Sequence, residues 1–330
     1  MITIKDVAKH AGVSVTTTSY ALNRTGTISE ATRKRVLDSA EDLNYHPNAF
    51  ARNLKKQKTL TIGVFISRFG GFFYEDILEG IHSAILKTDY ELIVCPETHT
   101  IHKILTQRQV DGAIIFDSKI NSAMILRLAS DTFPIVCLDR NLIADNLLSL
   151  LVDNQQGARD VFDHLFQQGA RKIAFLSGAI DSQDNTERMR AFTNHAGKHG
   201  LVVTCFQGNF TEMSGYAVAE DLIKRNELPD AIFCANDQMA IGLINALGKH
   251  GKKVPDDTLV VGFDDIPLSR YMQPSLTTVS TSRNAWGAEA ATQLIEYLVH
   301  GKPFCSSRIP VQLIQRESSS RNHKISKGDK

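Results

Sequence analysis

Runs of four to seven predominantly apolar residues, alternating with longer amphipathic stretches, set the limits on what residues 60–330 can fold into. The runs are LTIGVFI (60–66), YELIVC (90–95), DGAIIF (111–116), FPIVCL (133–138), KIAFLS (172–177), DAIFCA (230–235) and LVVGF (259–263). Between them, helical periodicity spans 74–87, 155–168, 214–225 and 236–249. Val/Ile-rich runs without polar alternation, joined by helical crossovers, predict parallel sheets buried on both faces. Two sets, each of about five strands, predict two doubly wound subdomains. Ligands of such sheets bind beyond the carboxyl ends of the strands, which here places a site in the cleft between subdomains.

Composition excludes several other classes. Hydrophobic residues at 42% and charged residues at 22% of 330 match ordinary globular usage, against a disordered chain or a small disulfide scaffold. No apolar run approaches the roughly 18 residues that cross a bilayer, and MITIKDVAKH offers no apolar signal core. The five cysteines are odd in number and scattered, four of them in or beside the strand-like runs. They read as buried free thiols of a reducing compartment, and a soluble cytoplasmic protein is expected.

Charge is uneven along the chain. Residues 1–58 hold ten Lys/Arg against five acids, a net +5, while the remainder carries −4. A small basic head on a mildly acidic body fits a nucleic-acid-binding module joined to something else. Within the head, Thr3 and Asp6 form a capping-box pattern that starts a helix at Ile4, running to about Ala11. Gly12 breaks it, and Ser14 is placed to cap a second helix across Val15–Leu22. Two short helices on a tight glycine turn are the helix-turn-helix arrangement, whose second helix enters the major groove. A third helix begins near Ser29. Its Val36, Leu37, Ala40 and Leu43, with Val7, Ala8, Ala11, Val13 and Leu22, are expected to form the core. Pro47 ends that unit. NAFARNLKK (48–56) is shorter than the about 12 residues a helix needs in water, so it reads as a charged linker unless something packs on it. Its small residues, single leucine and basic groups also suit a minor-groove wedge.

These residues resemble the LacI/GalR family of bacterial transcription regulators. The similarity lies in IKDVAKHAGVS (4–14), TTTSYALN (16–23), TRKRVLDSAEDLNYHPNAFARNL (32–54), VDN (152–154), FCANDQMAIG (233–242), VVGFDDIPLS (260–269), PSLTTVS (274–280) and RIPVQLIQRES (308–318), from about residue 2 to 318. It implies a three-helix head (1–46), a hinge helix and linker (47–59), and a periplasmic-binding-protein-like body of two doubly wound parallel-sheet subdomains (60–330) that binds effector and dimerises. The resemblance implies Val15, Thr16 and Tyr20 at base edges and Thr17, Ser19 and Asn23 at phosphates, with Ser14 and Ala51 in the same DNA-facing set. It also implies Arg52 and Lys55 in the minor groove and Leu54 as the intercalating residue. Many members carry Arg where this chain has Tyr20, which removes a bidentate contact to guanine. Thr18 replaces an inward valine, a costly hydroxyl unless it bonds a backbone carbonyl.

In the body, polar groups just past the strands are the candidate ligand contacts: Asp139, Asn236, Asp237, Asp264 and Asp265, with Arg188 early in a helix after the 178–186 loop. Phe69, Phe72, Phe73 and Tyr74 follow the first strand. A neutral polyol needs fork-shaped hydrogen bonding and a flat apolar face. The resemblance implies that Arg188, Asn236 and Asp264 hold effector hydroxyls, that Phe73 stacks on a ring, and that Asp139 lines the same cleft. Phe72 is taken with them, although Phe69 and Phe72 fit a core equally well. Asn236 and Asp237 can cap the following helix, and Asp265 is expected to pair within its loop. Thr281 stands where several sugar-binding members have a longer polar residue.

The expected activity is that of a sequence-specific transcription regulator of the repressor type, acting on a carbohydrate operon under control of a saccharide. It is expected to work as a homodimer on a pseudo-palindromic double-stranded operator. No catalytic constellation, metal centre or cofactor is expected. His99/His102 and His195/His199 could each offer two nitrogens, with no third ligand of suitable spacing in sequence. The competing readings are a cytoplasmic sugar-binding receptor and a sugar-acting enzyme sharing the body fold. The tail SSSRNHKISKGDK lacks leucine heptads, so a dimer rather than a tetramer is expected.

Overall fold

The computed structural model describes residues 2–46, 58–67, 69, 72–96 and 99–321. The chain divides into two units, Met1–Thr59 and Leu60–Lys330.

The first unit holds α1 (Ile4–Ala11), α2 (Val15–Leu22) and α3 (Glu30–Asp42). Each start has a local cause. The Asp6 carboxylate accepts from the Thr3 backbone N–H at 2.8 Å and the Thr3 hydroxyl at 2.7 Å. Ser14 Oγ accepts from the Thr17 N–H at 3.0 Å, and Ser29 Oγ from the Thr32 N–H at 3.2 Å. Gly12, at φ +65°, closes α1 in the left-handed conformation. Val7, Ala11, Ala21, Val36 and Ala40 form the core, with Val13, Leu22, Ile28, Leu43 and Tyr45 packed around it. Leu37 departs from expectation: it is 41% exposed. The buried stripe of α3 follows Val36 and Ala40, and a residue one position on is turned about 100° away from it. Thr18 is fully buried, and its hydroxyl donates to the Ser14 carbonyl at 3.0 Å, which satisfies the group.

The second unit contains two main sheets. The first is wholly parallel, in the order β2-β1-β3-β4-β5, from β1 (Thr61–Ile66), β2 (Glu91–Pro96), β3 (Gly112–Phe116), β4 (Ile135–Cys137) and β5 (Leu147–Ser149). A two-stranded ribbon pairs β6 (Leu151–Val152) with β12 (Arg308–Ile309). The second main sheet has the order β13-β11-β10-β9-β7-β8. It is built from β7 (Ile173–Ser177), β8 (Val203–Gln207), β9 (Ala231–Cys234), β10 (Leu259–Phe263), β11 (Thr277–Thr281) and β13 (Val311–Ile314). β13 runs antiparallel to β11, the exception to the expected parallel sheets. Every residue of β3, β7, β9 and β10 is buried, which is why these strands lack polar alternation. The edge strand β8 is largely exposed. Cys205 on it is therefore exposed, as is Cys305 in the segment before β12, whereas Cys95, Cys137 and Cys234 are buried, so the expectation of buried thiols holds for three of five.

The helices of this unit are α4 (Phe72–Ile85), α5 (His99–Thr106), α6 (Ser122–Leu128), α7 (Asn154–Gln167), α8 (Gln183–Lys198), α9 (Glu212–Arg225), α10 (Asp237–Lys249), α11 (Leu268–Tyr271) and α12 (Arg283–His300). The chain passes between the sheets three times: after β5, after β11 and after α12. As a result α12, which follows the second sheet in sequence, packs on α4 beside the first. Its Trp286 Nε1 donates to the Leu150 carbonyl at 2.8 Å. The two helices approach through small residues. A Cβ on Gly80 would fall 2.0 Å from the Asn284 carbonyl oxygen, and one on Gly287 would fall 2.0 Å from that of Ile77. No helix of the described residues is long and apolar enough to cross a membrane.

Candidate functional site

In the first unit, α2 turns Val15, Thr16 and Tyr20 to solvent, with Val15 42% and Tyr20 43% exposed. The Tyr20 ring is held by close contact with Gly26, where a Cβ would fall 2.7 Å from the ring. The remaining residues of the expected DNA-facing set lock one another. Ser14 Oγ lies 2.8 Å from Thr17 Oγ1, and Asn23 Nδ2 donates to the Ser19 carbonyl at 2.8 Å. α2 therefore offers a stiff ridge whose tip residues are free of helix duties. Ala51, Arg52, Leu54 and Lys55 lie outside the described residues, as does the side chain of Phe72.

In the second unit, a cleft of ≈ 480 Å³ opens at the carboxyl ends of the two main sheets. One wall is aromatic. Phe73, Tyr74 and Phe116 meet edge to face at 5.5–5.6 Å between centroids, and Phe116 rests on Trp286 at 5.3 Å. Tyr74 Oη lies 2.7 Å from Ser67 Oγ. Phe69, by contrast, is 63% exposed and belongs neither to the core nor to the cleft lining.

The opposite wall is polar and centred on Arg188. Its guanidinium donates through Nε to Asn154 Oδ1 at 2.8 Å and through Nη1 to the Ala235 carbonyl at 2.6 Å. It also stacks over Phe263, 3.6 Å from the ring centroid. Nη1 lies 3.9 Å from Asp264 Oδ1. The Asp264 carboxylate accepts no hydrogen bond from the side chains or backbone of the described residues, although its side chain is only 12% exposed. Burial, with help from Asp237 and Asp184, pushes its pKa up to about 7 against the pull of Arg188. Its backbone sits at φ +113°, a strained conformation of the kind that persists at ligand clamps. Arg283 stabilises it there by donating to the Asp264 carbonyl, while gripping Asp76 of α4 at 2.6 Å.

The other expected contacts are partly engaged. Asn236 caps α10, accepting from the Met239 N–H at 3.0 Å, and donates to the Phe210 carbonyl at 3.0 Å; it still lines the cleft. Asp139 lines it too, bound to Arg140 at 2.6 Å, and burial raises its pKa. Asp237 is fully buried and accepts from Ile266, Ser269 and Thr278, a brace rather than a contact. Asp265 pairs with Arg316 at 2.6 Å and Arg270 at 3.1 Å, as its loop position suggested. Asp184, Phe116, Phe210 and Gln238 also line the cleft, and sequence reasoning did not single them out. Asp184 accepts from Asn154 Nδ2 at 2.7 Å, and burial raises its pKa. Phe116 closes β3 and Phe210 lies three residues past β8, within reach of the carboxyl-end rule, whereas Asp184 and Gln238 sit inside the following helices.

Away from the cleft, the histidine pair of α8 differs from its sequence reading. A third ligand group stands beside it: Asp163 Oδ1 of α7 lies 2.8 Å from His195 Nε2, and His199 completes the group. The side chains of His99 and His102 lie outside the described residues.

Comparison with known proteins bears on both units. Residues 3–48 match the family model described as bacterial regulatory proteins, lacI family, and residues 162–319 that of a periplasmic binding protein-like domain. The chain is 34% identical over 307 residues to the HTH-type transcriptional repressor PurR of Photobacterium profundum, covering 90% of this chain and 92% of that one. It resembles the crystal structure of a sugar-binding transcriptional regulator (LacI family) from Enterococcus faecalis, with TM-score 0.74, 33% identity, and coverage of 80% and 99%. It also resembles the lac repressor dimer bound to operator and the anti-inducer ONPF, with TM-score 0.82, 26% identity, and coverage of 96% and 99%.

Proposed function

This chain belongs to the lacI family of bacterial regulatory proteins, whose relatives here are transcriptional repressors and not enzymes, and on that premise we propose that it represses a carbohydrate-utilisation operon under control of a saccharide. The observation that carries the saccharide is Asp264. A nearly buried carboxylate with no hydrogen-bond donor from the described residues, 3.9 Å from an arginine and opposite an aromatic wall, suits adjacent hydroxyls of a ring stacked on Phe73. Arg188 and Asn236 would complete the polar contacts, and Asp139 the rim. The solved regulator from Enterococcus faecalis, described as sugar-binding, supports the same class.

In this reading a cytoplasmic homodimer sets two α2 helices into successive major grooves of a pseudo-palindromic operator. Val15, Thr16 and Tyr20 read bases. Ser14, Thr17, Ser19 and Asn23 fix the backbone register, which positions without specifying. Residues 47–59 form the hinge, with Ala51, Arg52 and Lys55 in the minor groove and Leu54 wedged into the central step. The lac repressor dimer solved with its operator supports this arrangement. Effector and operator binding are then coupled, and each must change the other's affinity by the same factor.

A thermal-shift screen of the full chain tests the effector, with mono- and oligosaccharides, sugar phosphates and nucleobases as the panel. A ligand at 100 times its Kd stabilises by about 2.7 kcal/mol. The expected result is a saccharide whose effect disappears in Asp264→Ala. A nucleobase as the one stabilising ligand would overturn the saccharide class. For the hinge, Leu54→Ala is expected to weaken operator binding while leaving effector affinity alone, and an unchanged operator Kd would refute the wedge.

A further inference from the structure

We propose that Asp163, His195 and His199 form a binding site for a divalent transition-metal ion of the zinc type, separate from the effector cleft. One ligand atom from each side chain lies within 4.8 Å of the others. His195 and His199 are four residues apart at the end of α8, so they share a helix face, and α7 presents Asp163 to that face. Asp163 Oδ1 already lies 2.8 Å from His195 Nε2. Zinc bonds of roughly 2.0–2.2 Å in tetrahedral geometry keep ligand atoms about 3.3–3.5 Å apart, so a small outward rotation of the exposed carboxylate admits the ion.

The surroundings prepare these side chains to act as ligands. His195 turns Nε2, not Nδ1, toward Asp163, so Nε2 is the nitrogen this ring would give an ion shared with that carboxylate. Phe162 lies 5.2 Å from both imidazoles and Phe166 lies 5.1 Å from His199, an apolar wall behind the ligands. Such a shell fixes ligand orientation and limits water. Asp163 is 49% exposed, so the front remains open for entry and for a solvent ligand. Two imidazoles and one carboxylate select zinc, cobalt, nickel or copper over magnesium or calcium, which take oxygen donors.

The location gives such an ion a structural effect. α7 and α8 are the helices whose other ends carry Asn154 and Arg188, joined at 2.8 Å on the cleft wall. A metal staple at the far ends ties the same two helices together.

The test uses the full chain, stripped with a chelator and titrated with zinc chloride by calorimetry, and with cobalt(II) by absorption. Expected are one equivalent of zinc, a higher Tm, and cobalt d–d bands of a four- or five-coordinate nitrogen–oxygen site. His199→Gln, at an exposed position, and Asp163→Asn, whose side chain is half exposed, should fold normally and bind at least tenfold more weakly, no less than outer-shell changes commonly cost. Absence of stoichiometric binding in submillimolar zinc would overturn the proposal. So would binding that both variants leave unchanged, since that ion would then sit elsewhere.

Discussion

Replacing Asp264 by asparagine should stabilise the protein while impairing its ligand site. The carboxyl is only 12% exposed, and burial lifts its pKa from 3.8 to about 7. An acid whose folded pKa lies above its unfolded value favours the protonated form in the fold. Its destabilisation is therefore absent below about pH 4, grows as pH rises toward 7, and is complete above that. A gap of roughly 3 in pKa, at about 1.4 kcal/mol for each tenfold in protonation, sets a ceiling of about 4 kcal/mol. Asparagine keeps the shape and tolerates positive φ, but its amide is a buried polar group with few partners of its own, so a gain of about 1–3 kcal/mol is expected. For a chain of this size that corresponds to about 1–5 °C in Tm. Melting wild type and variant at pH 8 and pH 5, at matched ionic strength, measures it. The variant should melt higher at pH 8, by a margin that falls by more than half at pH 5. Affinity for a hydroxylated ligand should meanwhile drop about 10–100-fold, the worth of a charge-assisted hydrogen bond. A variant that melts lower than wild type at pH 8, or gains equally at both pH values, would refute the electrostatic reasoning.

Other outcomes follow from the same geometry. Arg188→Ala strips the donor from Asn154 Oδ1 and the Ala235 carbonyl and the cation from beside Asp264; a loss of about 3–5 kcal/mol is expected in urea unfolding at pH 8, and a smaller one, from the two orphaned acceptors alone, in an Asp264→Asn background. Gly80→Ala drives a Cβ to 2.0 Å from the Asn284 carbonyl oxygen; separating α4 from α12 should cost about 1–3 kcal/mol or more, and an unchanged Tm would show that the helices slide freely. Thr18→Val deletes a buried hydroxyl that bonds only within its own helix; the head should retain its stability to within about 1 kcal/mol, as read by its own denaturation.

The parts of the fold legible in sequence were those fixed by local chemistry. Ser14, Ser29 and Asn236 announce helix starts because a capping oxygen must sit at the first turn, and all three cap in the structure. β1, β3, β4, β7, β9 and β10 were readable because burial on both faces leaves a continuous apolar run, whereas β2, read from its apolar residues, is an edge strand with alternating exposure, and the central β11 was not singled out. β8, β13 and α8 were missed for the converse reason. Edge strands and polar helices such as Gln183–Lys198 carry weak periodicity and are held by tertiary packing. At the cleft, strand-end residues Asp139, Asn236 and Asp264 could be picked out, while Asp184 could not. Its place on the wall depends on Asn154, thirty residues earlier, reaching across to it. The third member of the histidine group was hidden in the same way, since Asp163 meets α8 only once two helices pack.

The return of α12 to the first sheet also governs the order in which this molecule can be made. α4 ends at Ile85, and the helix that covers it begins at Arg283. At a synthesis rate of roughly 5–20 residues per second, those about 200 residues take about 10–40 s to emerge. Throughout that interval the first sheet has an open apolar flank, and no truncation short of α12 can close it. The three-helix head has its whole core within its first 45 residues. On the ribosome the head is therefore complete while the regulatory body is still waiting for its last helix.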